Sequence, residues 1–395
     1  MKFSRIKQRQ ISPKDFSDRK HFPGTPGNPY HVIDKIQAFL SPIPFPVFSL
    51  IFGGAAYLLS GDLSKSILIA GFFILDWLLL RFLPKLQISF GPPTLPALVL
   101  ALMRSLFLVF DLPIAVSFQI LGTLLVLWGF YFEPQIPKVT HHKVKIFNGK
   151  GEAHPLRIVH LSDLHMEFYT SREERAVELI NNLEPDLIVF SGDFFNISYQ
   201  NHPQSHHDIH TFFHALKAKH GIYAVTGSPS VDLEESLQKV LPDLNLTLLR
   251  DQAINLEIKD QDIQLIGLDC THQPQRDVER LRAMAPHLDL NLQKTRVLLY
   301  HSPDIAPHLG NLPIDLQVTG HTHGGQVQIP FLGPIYNGSL YGFAFSSGHY
   351  FINGSLHLII SRGLGLEGEA APRVRFFSPP EICDITLEFT SHHVQ

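Results

Sequence analysis

The chain has 395 residues, 45% of them hydrophobic, and a formal net charge of −4. That length points to two or three structural units, and the lack of a basic excess argues against nucleic acid as a partner. Two cysteines, Cys270 and Cys383, rule out a disulfide framework and fit a reducing compartment, while 23 histidines invite a search for metal ligands.

Residues 1–38 read as a basic tail carrying Lys2, Arg5, Lys7, Arg9, Lys14, Arg19, Lys20 and Lys35. The tail is no standard signal peptide, because the apolar stretch starts late and no small-residue cleavage site follows it. Residues 39–132 are almost wholly apolar and read as a transmembrane region of about four helices: Phe45–Ser60, Leu63–Leu83, Pro92–Phe110 and Leu112–Phe132. A spanning helix needs about 20 apolar residues. The second and fourth segments reach that. The first is short and starts in a Pro-rich stretch, and the third carries Arg104 in its middle, a costly charge in hydrocarbon. Asp76, inside the second segment, is a candidate partner for Arg104 in the bundle interior; the plainer alternative is that each charge snorkels or faces a neighbouring helix.

Basic residues set orientation. Those of the tail, Arg81 with Lys85, and Lys138, Lys143, Lys145 and Lys150 all fall on the cytoplasmic side if there are four spans. The expectation is a multi-pass protein of the inner membrane with its remaining domain in the cytoplasm. A hairpin that dips in without crossing gives the same side for the domain. Residues 133–155 read as a linker.

From residue 156 the pattern alternates strand and helix. Leu156–Leu161 reads as a buried strand, Arg172–Leu183 as a helix capped by Ser171, Asp186–Phe190 as a strand, Thr211–Lys219 as a helix and Ile222–Val225 as a strand. Further strands are predicted at Ile263–Leu268, Arg296–Tyr300, Leu316–Thr319, Leu356–Ser361 and Ile382–Phe389. Residues 156–395 thus read as one layered α/β domain.

The chemistry gathers where strands end. The first strand runs into Asp163 and His165, the second into Gly192-Asp193, a later one into His301, and the next into Gly320-His321-Thr322-His323-Gly324-Gly325. Carboxylate with imidazole is a mixed hard and borderline donor set, which suits Mn, Fe or Zn rather than Ca or Mg. Asp163 and His165, and again His321 and His323, stand two residues apart, so each pair can reach one ion; Asp193 can bridge two. Taken alone, Asp-x-His is more often a turn and Gly-Asp is weaker still, but two histidines among glycines rarely serve packing. The cluster His202, His206, His207, His210 and His214 lacks supporting acids and reads as a solvated surface. Cys270 reads as core, Asn196 as a neighbour of the site by spacing alone, and Asp232 as a residue near it with no assigned part.

This set resembles the calcineurin-like metallophosphoesterase family, in particular its membrane-anchored bacterial branch. The family pattern runs Asp-x-His, Gly-Asp, Gly-Asn-His-Asp/Glu, a lone His, then Gly-His-x-His, and the likeness extends over residues 156–389, including Ser361-Arg362-Gly363-Leu364-Gly365 and Ser378-Pro379-Pro380-Glu381. The resemblance implies a four-layer αββα sandwich behind a transmembrane helical region, and two divalent metals. One ion would take Asp163, His165, Asp193 and His323; the other would take Asp193, His301 and His321. The third block departs from the pattern: Ser228, Pro229 and Ser230 stand where Asn, His and an acid are expected. Ser228 is a poorer contact for the second metal, and Pro229 cannot protonate a leaving group, so no catalytic acid is assigned. Two readings stay open, a hydrolase for phosphoesters or phosphoanhydrides and a binding protein derived from one. Members of the branch that resemble UDP-2,3-diacylglucosamine pyrophosphatases of lipid A synthesis make a phosphorylated lipid or nucleotide-linked substrate the expectation. The aromatics between Phe331 and Phe345 either touch lipid or pack on the core.

Overall fold

The computed structural model describes residues 3–25, 31–147, 154–284 and 294–390. The chain divides into two compact units. The larger holds residues 1–28, 136–366 and 377–395, and the helical one holds residues 29–135 and 367–376.

The larger unit starts with β1 (Ile6–Arg9) and resumes with β2 (Lys138–Phe147) and β3 (Leu156–Leu161), so the tail and the linker of the sequence reading both contain strand. Helix α6 (Ser171–Asn182) is followed by β4 (Leu187–Phe190), α7 (Pro203–Ala215), β5 (Ile222–Ala224), α8 (Glu234–Val240), β6 (Thr247–Leu248), β7 (Gln252–Ile258) and β8 (Gln261–Gly267). Then come α9 (Pro274–Met284), β9 (Thr295–Leu299), β10 (Leu316–Thr319), the short pair β11 (Gln328–Ile329) and β12 (Gly333–Pro334), β13 (Gly348–Ile352), β14 (Leu356–Ile360) and β15 (Glu381–Thr390). Helices α1 to α5 belong to the helical unit described below.

Two local readings change. Helix α6 is capped by Thr170, not Ser171: the Thr170 side chain accepts from the Arg172 amide while Glu173 reaches back to the Thr170 amide. Helix α7 starts at Pro203 rather than Thr211, because proline suits the first helical position and the His202 ring caps it. The two predicted cores, Leu156–Leu161 and Leu316–Thr319, are strands with those bounds.

The strands form a six-stranded sheet ordered β2-β15-β3-β4-β5-β6 and a seven-stranded sheet ordered β1-β13-β14-β10-β9-β8-β7. Strands β3 to β6 run parallel, as do β8, β9, β10 and β14. Apolar residues of both sheets share one buried cluster, with Val144, Ile158 and Val189 from one and Leu265, Val297 and Val318 from the other. A second cluster joins Val159 and Phe190 to Ala176 of α6 and Phe212 of α7. A third joins Ile266, Leu298 and Leu358 to Val278 and Leu281 of α9.

Between the sheets lies a histidine group. His349 Nε2 is 2.9 Å from His357 Nδ1, and the His142 ring is 6.0 Å from that of His349. Burial pushes His142 down to about 4, His349, with help from His357, to about 3, and His357 to about 4. The unfolded chain takes up these protons near pH 6.5 and the folded chain only near 3 to 4. Stability is therefore full above pH 6.5 and falls as pH drops towards 4, by about 1.4 kcal/mol per pH unit for each histidine. Calorimetric melting from pH 7.5 to 5 is expected to show a falling Tm, with a shallower fall in His349→Gln. Parallel profiles for the two proteins would remove the histidine group as the cause.

The helical unit contains α1 (His31–Leu40), α2 (Phe45–Ser60), α3 (Leu63–Phe82), α4 (Thr94–Ser105) and α5 (Leu112–Val126). Among the described residues two helical stretches are long and apolar enough to cross a membrane, Leu63–Leu86 and Leu112–Gln135. Val32–Leu40 and Phe45–Ser60 would make a third only as one span bent by 98°, and Thr94–Val109 is a shorter apolar helix. The four apolar segments of the sequence are thus all helical, but not all of spanning length. Asp76 and Arg104 do pair: Nε and Nη2 of Arg104 donate to the two carboxylate oxygens at 2.6 and 2.7 Å. Arg104 also donates to the Gln119 carbonyl at 2.6 Å and the Thr123 hydroxyl at 3.0 Å.

Candidate metal centre

The predicted ligands sit on loops that leave the C-terminal ends of β3, β4, β9 and β10. Parallel strands in register place those ends side by side. The loop after β3 carries Asp163 and His165, that after β4 carries Asp193, that after β9 carries His301, and that after β10 carries His321 and His323. The tail segment holds the first loop in place: the amides of Leu364 and Gly365 donate to the Asp163 carbonyl, and Arg362 pairs with Glu381 at 3.0 Å.

The structure brings all six side chains together. Asp163, His165 and His323 form one group, and Asp163, Asp193 and His301 form another, with the ligand atoms of each group within 4.8 Å of one another. His165 Nε2 is 3.0 Å from His323 Nε2 and 3.6 Å from Asp193 Oδ2. His323 Nε2 is 3.4 Å from Asp163 Oδ1, and His301 Nε2 is 3.3 Å from Asp193 Oδ2. Two donors on one ion, each with a bond of about 2.1 Å, stand roughly 3.0 to 3.5 Å apart, so these spacings suit a shared cation.

Hydrogen bonding says the same. His165 Nδ1 faces the Phe195 carbonyl at 3.1 Å and His301 Nδ1 faces the Ser191 carbonyl at 2.8 Å. A carbonyl accepts only, so the ring proton sits on Nδ1 and the Nε2 lone pair points into the site, as in metal-bound histidines. Lone pairs and carboxylates then face each other at close range, which is costly without positive charge between them. Burial opposes protonation of His301, yet Asp193 and Asp163 raise it to about 10. The residues fit a divalent cation.

Backbone geometry marks the same residues. Asp163, His165, Asp193, His321 and His323 all hold φ between 41° and 68°, the left-handed region that non-glycine residues avoid. Of the glycines beside these residues, Gly192, Gly324 and Gly325 have φ of 94°, 60° and 80°. Gly320 serves by size instead: a Cβ there would strike the Asp163 carboxylate.

The third block is built differently. Ser228 is buried, its amide donates to Asp193 Oδ1 at 2.6 Å, and its hydroxyl lies 3.2 Å from His301 Nε2. Asp232 does not enter the ligand groups. Its carboxylate accepts from the amides of Asp193, Phe194 and Gly227 at 2.7 to 2.9 Å and so ties the loops after β4 and β5 together. Burial, then Asp193, pushes Asp232 up to about 7. Asn196 bonds to the Leu366 carbonyl at 3.0 Å, and Cys270 is buried in the core. Of the α7 histidines, His202 caps the helix and His206 lies 2.6 Å from the Gln200 carbonyl.

One histidine escaped the sequence reading. His272, His301 and His321 form a third group with ligand atoms within 4.8 Å. The available signal was positional, since His272 also follows the C-terminal end of a strand, β8.

The pattern of the calcineurin-like phosphoesterases matches residues 156–325. The metallophosphoesterase YkuE of Bacillus subtilis (strain 168) is 32% identical over 266 residues, which cover 66% of this chain and 89% of that protein. The chain is a calcineurin-like metallophosphoesterase. This family uses divalent metals, and the phosphoesterase fold here is mixed α/β. The UDP-2,3-diacylglucosamine pyrophosphatase LpxG of Chlamydia trachomatis serovar D is 26% identical over 314 residues, 65% of this chain and 91% of that protein.

Proposed function

We propose that the protein is a membrane-anchored dimetal phosphohydrolase that cleaves a phosphoanhydride of a lipid-linked nucleotide, with the pyrophosphate of UDP-2,3-diacylglucosamine as the leading substrate. The observation that carries this is the convergence of Asp163, His165, Asp193, His301, His321 and His323 in one site. Asp163, His165, Asp193 and His323 would hold one ion, and Asp193, His301 and His321 the other, with Mn, Fe or Zn suited to the donors. Bound divalent ions would supply a nucleophilic hydroxide and offset phosphoryl charge. His165 and His301 are oriented by backbone carbonyls, and Asp193 is set by the amide of Ser228.

The third block bears on the substrate. Pro229 offers no proton, and general-acid help contributes about 10²- to 10⁴-fold. A nucleoside monophosphate leaving a pyrophosphate forfeits less of that help than an alkoxide does. The likeness to LpxG supports the same substrate class.

Location supports a lipid. Between β11 and β12 stand Phe331 and Leu332, and Ile335, Tyr336 and Phe343 are also exposed, whereas Tyr341 and Phe345 pack in the core, so the stretch divides between the two readings. The stretch leaves from Gly325 and returns to Gly338, whose carbonyl is 3.3 Å from His321 Nε2. An apolar tip rooted at the site suits an interface with acyl chains. The two long apolar helices supply the anchor. Strand β1 pairs with β13, so residues before and after the helical unit belong to one folded body, which supports an even number of crossings. The basic flanks favour the cytoplasmic side of the inner membrane. The three apolar clusters support the four-layer αββα arrangement.

The test uses the full chain in detergent with Mn, and compares nucleotide release from UDP-2,3-diacylglucosamine with cleavage of an alkyl phosphate monoester, beside a His321→Ala control. Metal-dependent release from the lipid that the control loses is expected. Faster turnover of the alkyl ester would overturn the substrate. No turnover with ions bound would favour the second reading, a binding protein for phosphorylated lipid, to which the altered third block also points.

A further inference from the structure

We propose that His272 is a ligand of the second metal, standing in for the Asn that the third block has lost. The inference rests on the dimetal reading and deepens it. Three observations carry it.

The first is convergence. The His272 ring centroid lies 4.4 Å from that of His321 and 5.8 Å from that of His301, the two histidines of the second ion. The Ser228 hydroxyl joins His272 Nε2 at 3.0 Å to His301 Nε2 at 3.2 Å. Serine at position 228 is too short to replace an asparagine carbonyl, and the imidazole occupies the space beside it.

The second is backbone conformation. His272 has φ of 60°, in the same sparsely populated region as the other site residues. No glycine stands there to make the turn cheap, so the loop after β8 holds a histidine in a conformation it resists. Strain of this kind persists where surrounding structure enforces it.

The third is what enforces it. The carboxylate of Asp277, at the start of α9, accepts from the amide and hydroxyl of Thr271 at 2.9 and 2.7 Å. It also accepts from the Tyr300 hydroxyl at 2.5 Å. One carboxylate thus fixes the neighbours of both His272 and His301. On the other side Gly24 closes over the ring: a Cβ there would lie 2.5 Å from His272 Nε2 and 2.7 Å from the Ser228 hydroxyl. The Gly24 carbonyl accepts from the amide and hydroxyl of Ser230.

The exchange has a chemical consequence. Asparagine offers a hard carbonyl oxygen, whereas His272 with His301, His321 and Asp193 makes a site of three nitrogens and a carboxylate. Such a set moves preference from Mn towards Zn.

The experiment is Zn²⁺ titration of chelator-stripped full-length protein by calorimetry, with metal content measured separately. Wild type is expected to take two ions. His272→Ala should keep the first and bind the second at least about 100-fold more weakly, since even residues that only orient ligands cost 10- to 100-fold. Adding Ser228→Asn to His272→Ala should restore the second ion and raise its preference for Mn²⁺ over Zn²⁺. Two ions at unchanged affinity in His272→Ala would overturn the role of His272 and leave the dimetal reading standing. A wild type that binds fewer than two ions would overturn both. If His272→Ala fails to fold, His272→Phe, which keeps the ring and removes the nitrogens, carries the same comparison.

Discussion

Asp193→Ala is expected to lower turnover by at least about 10³-fold and to leave the protein short of both ions. Its carboxylate, like that of Asp163, reaches histidines of both halves, at 3.6 Å from His165 Nε2 and 3.3 Å from His301 Nε2. Ions at such a site supply several kcal/mol of charge stabilisation, and about 1.4 kcal/mol is tenfold in rate. Asp193→Asn is the sharper variant. It keeps the shape and the acceptor for the Ser228 amide, but removes the charge that raises His301. Metal analysis beside steady-state kinetics reads both effects. Normal turnover in Asp193→Ala would remove the carboxylate from the mechanism.

The second large effect belongs to the helical unit. Arg104→Ala leaves Asp76, which has no solvent exposure, without its ion pair. Breaking a buried pair from one side typically costs about 3 to 5 kcal/mol, because the remaining charge has no compensation. Replacing both members with apolar residues is often near neutral. Arg104→Ala should therefore unfold the helical unit at clearly lower denaturant in detergent, whereas Asp76→Leu with Arg104→Met should recover most of the loss. The double variant should also retain hydrolysis, as an anchor without a transport role would. Equal stability of Arg104→Ala and wild type would mean that water or headgroups already satisfy Asp76.

The legible parts of the sequence share a cause. Strand β4 is an unbroken apolar run and β3 and β10 are buried strands built mainly on Leu, Ile and Val despite Arg157, His160, Gln317 and Thr319, as parallel strands covered on both faces require, and all three give way abruptly to polar ligands. Asp163, His165, Asp193, His301, His321 and His323 could be found because each follows such a run. Strand β1 was invisible because Ile6–Arg9 is exposed along its length and only its pairing with β13 makes it a strand. The start of α7 was missed because Pro203 reads as a breaker when it is in fact a first helical residue. His272 stands apart from the fixed pattern: its partners lie 29 and 49 positions further on (301 − 272 and 321 − 272), and nothing local ties them. Asp232 and Asp277 act through backbone amides and neighbours, a role that residue type alone does not reveal.

Strand β1 also sets a timetable. It leaves the ribosome well before its pairing partner β13, which lies some 340 positions later, as the contact between Lys7 and Ser347 shows. At about 5 to 20 residues per second, that gap lasts roughly 20 to 70 s. The apolar helices end at Val126, long before β13 is made, so they are complete before the seven-stranded sheet can close. When β13 does emerge, its outer edge meets a strand that has been waiting, and the edge is covered at birth rather than left to recruit another chain.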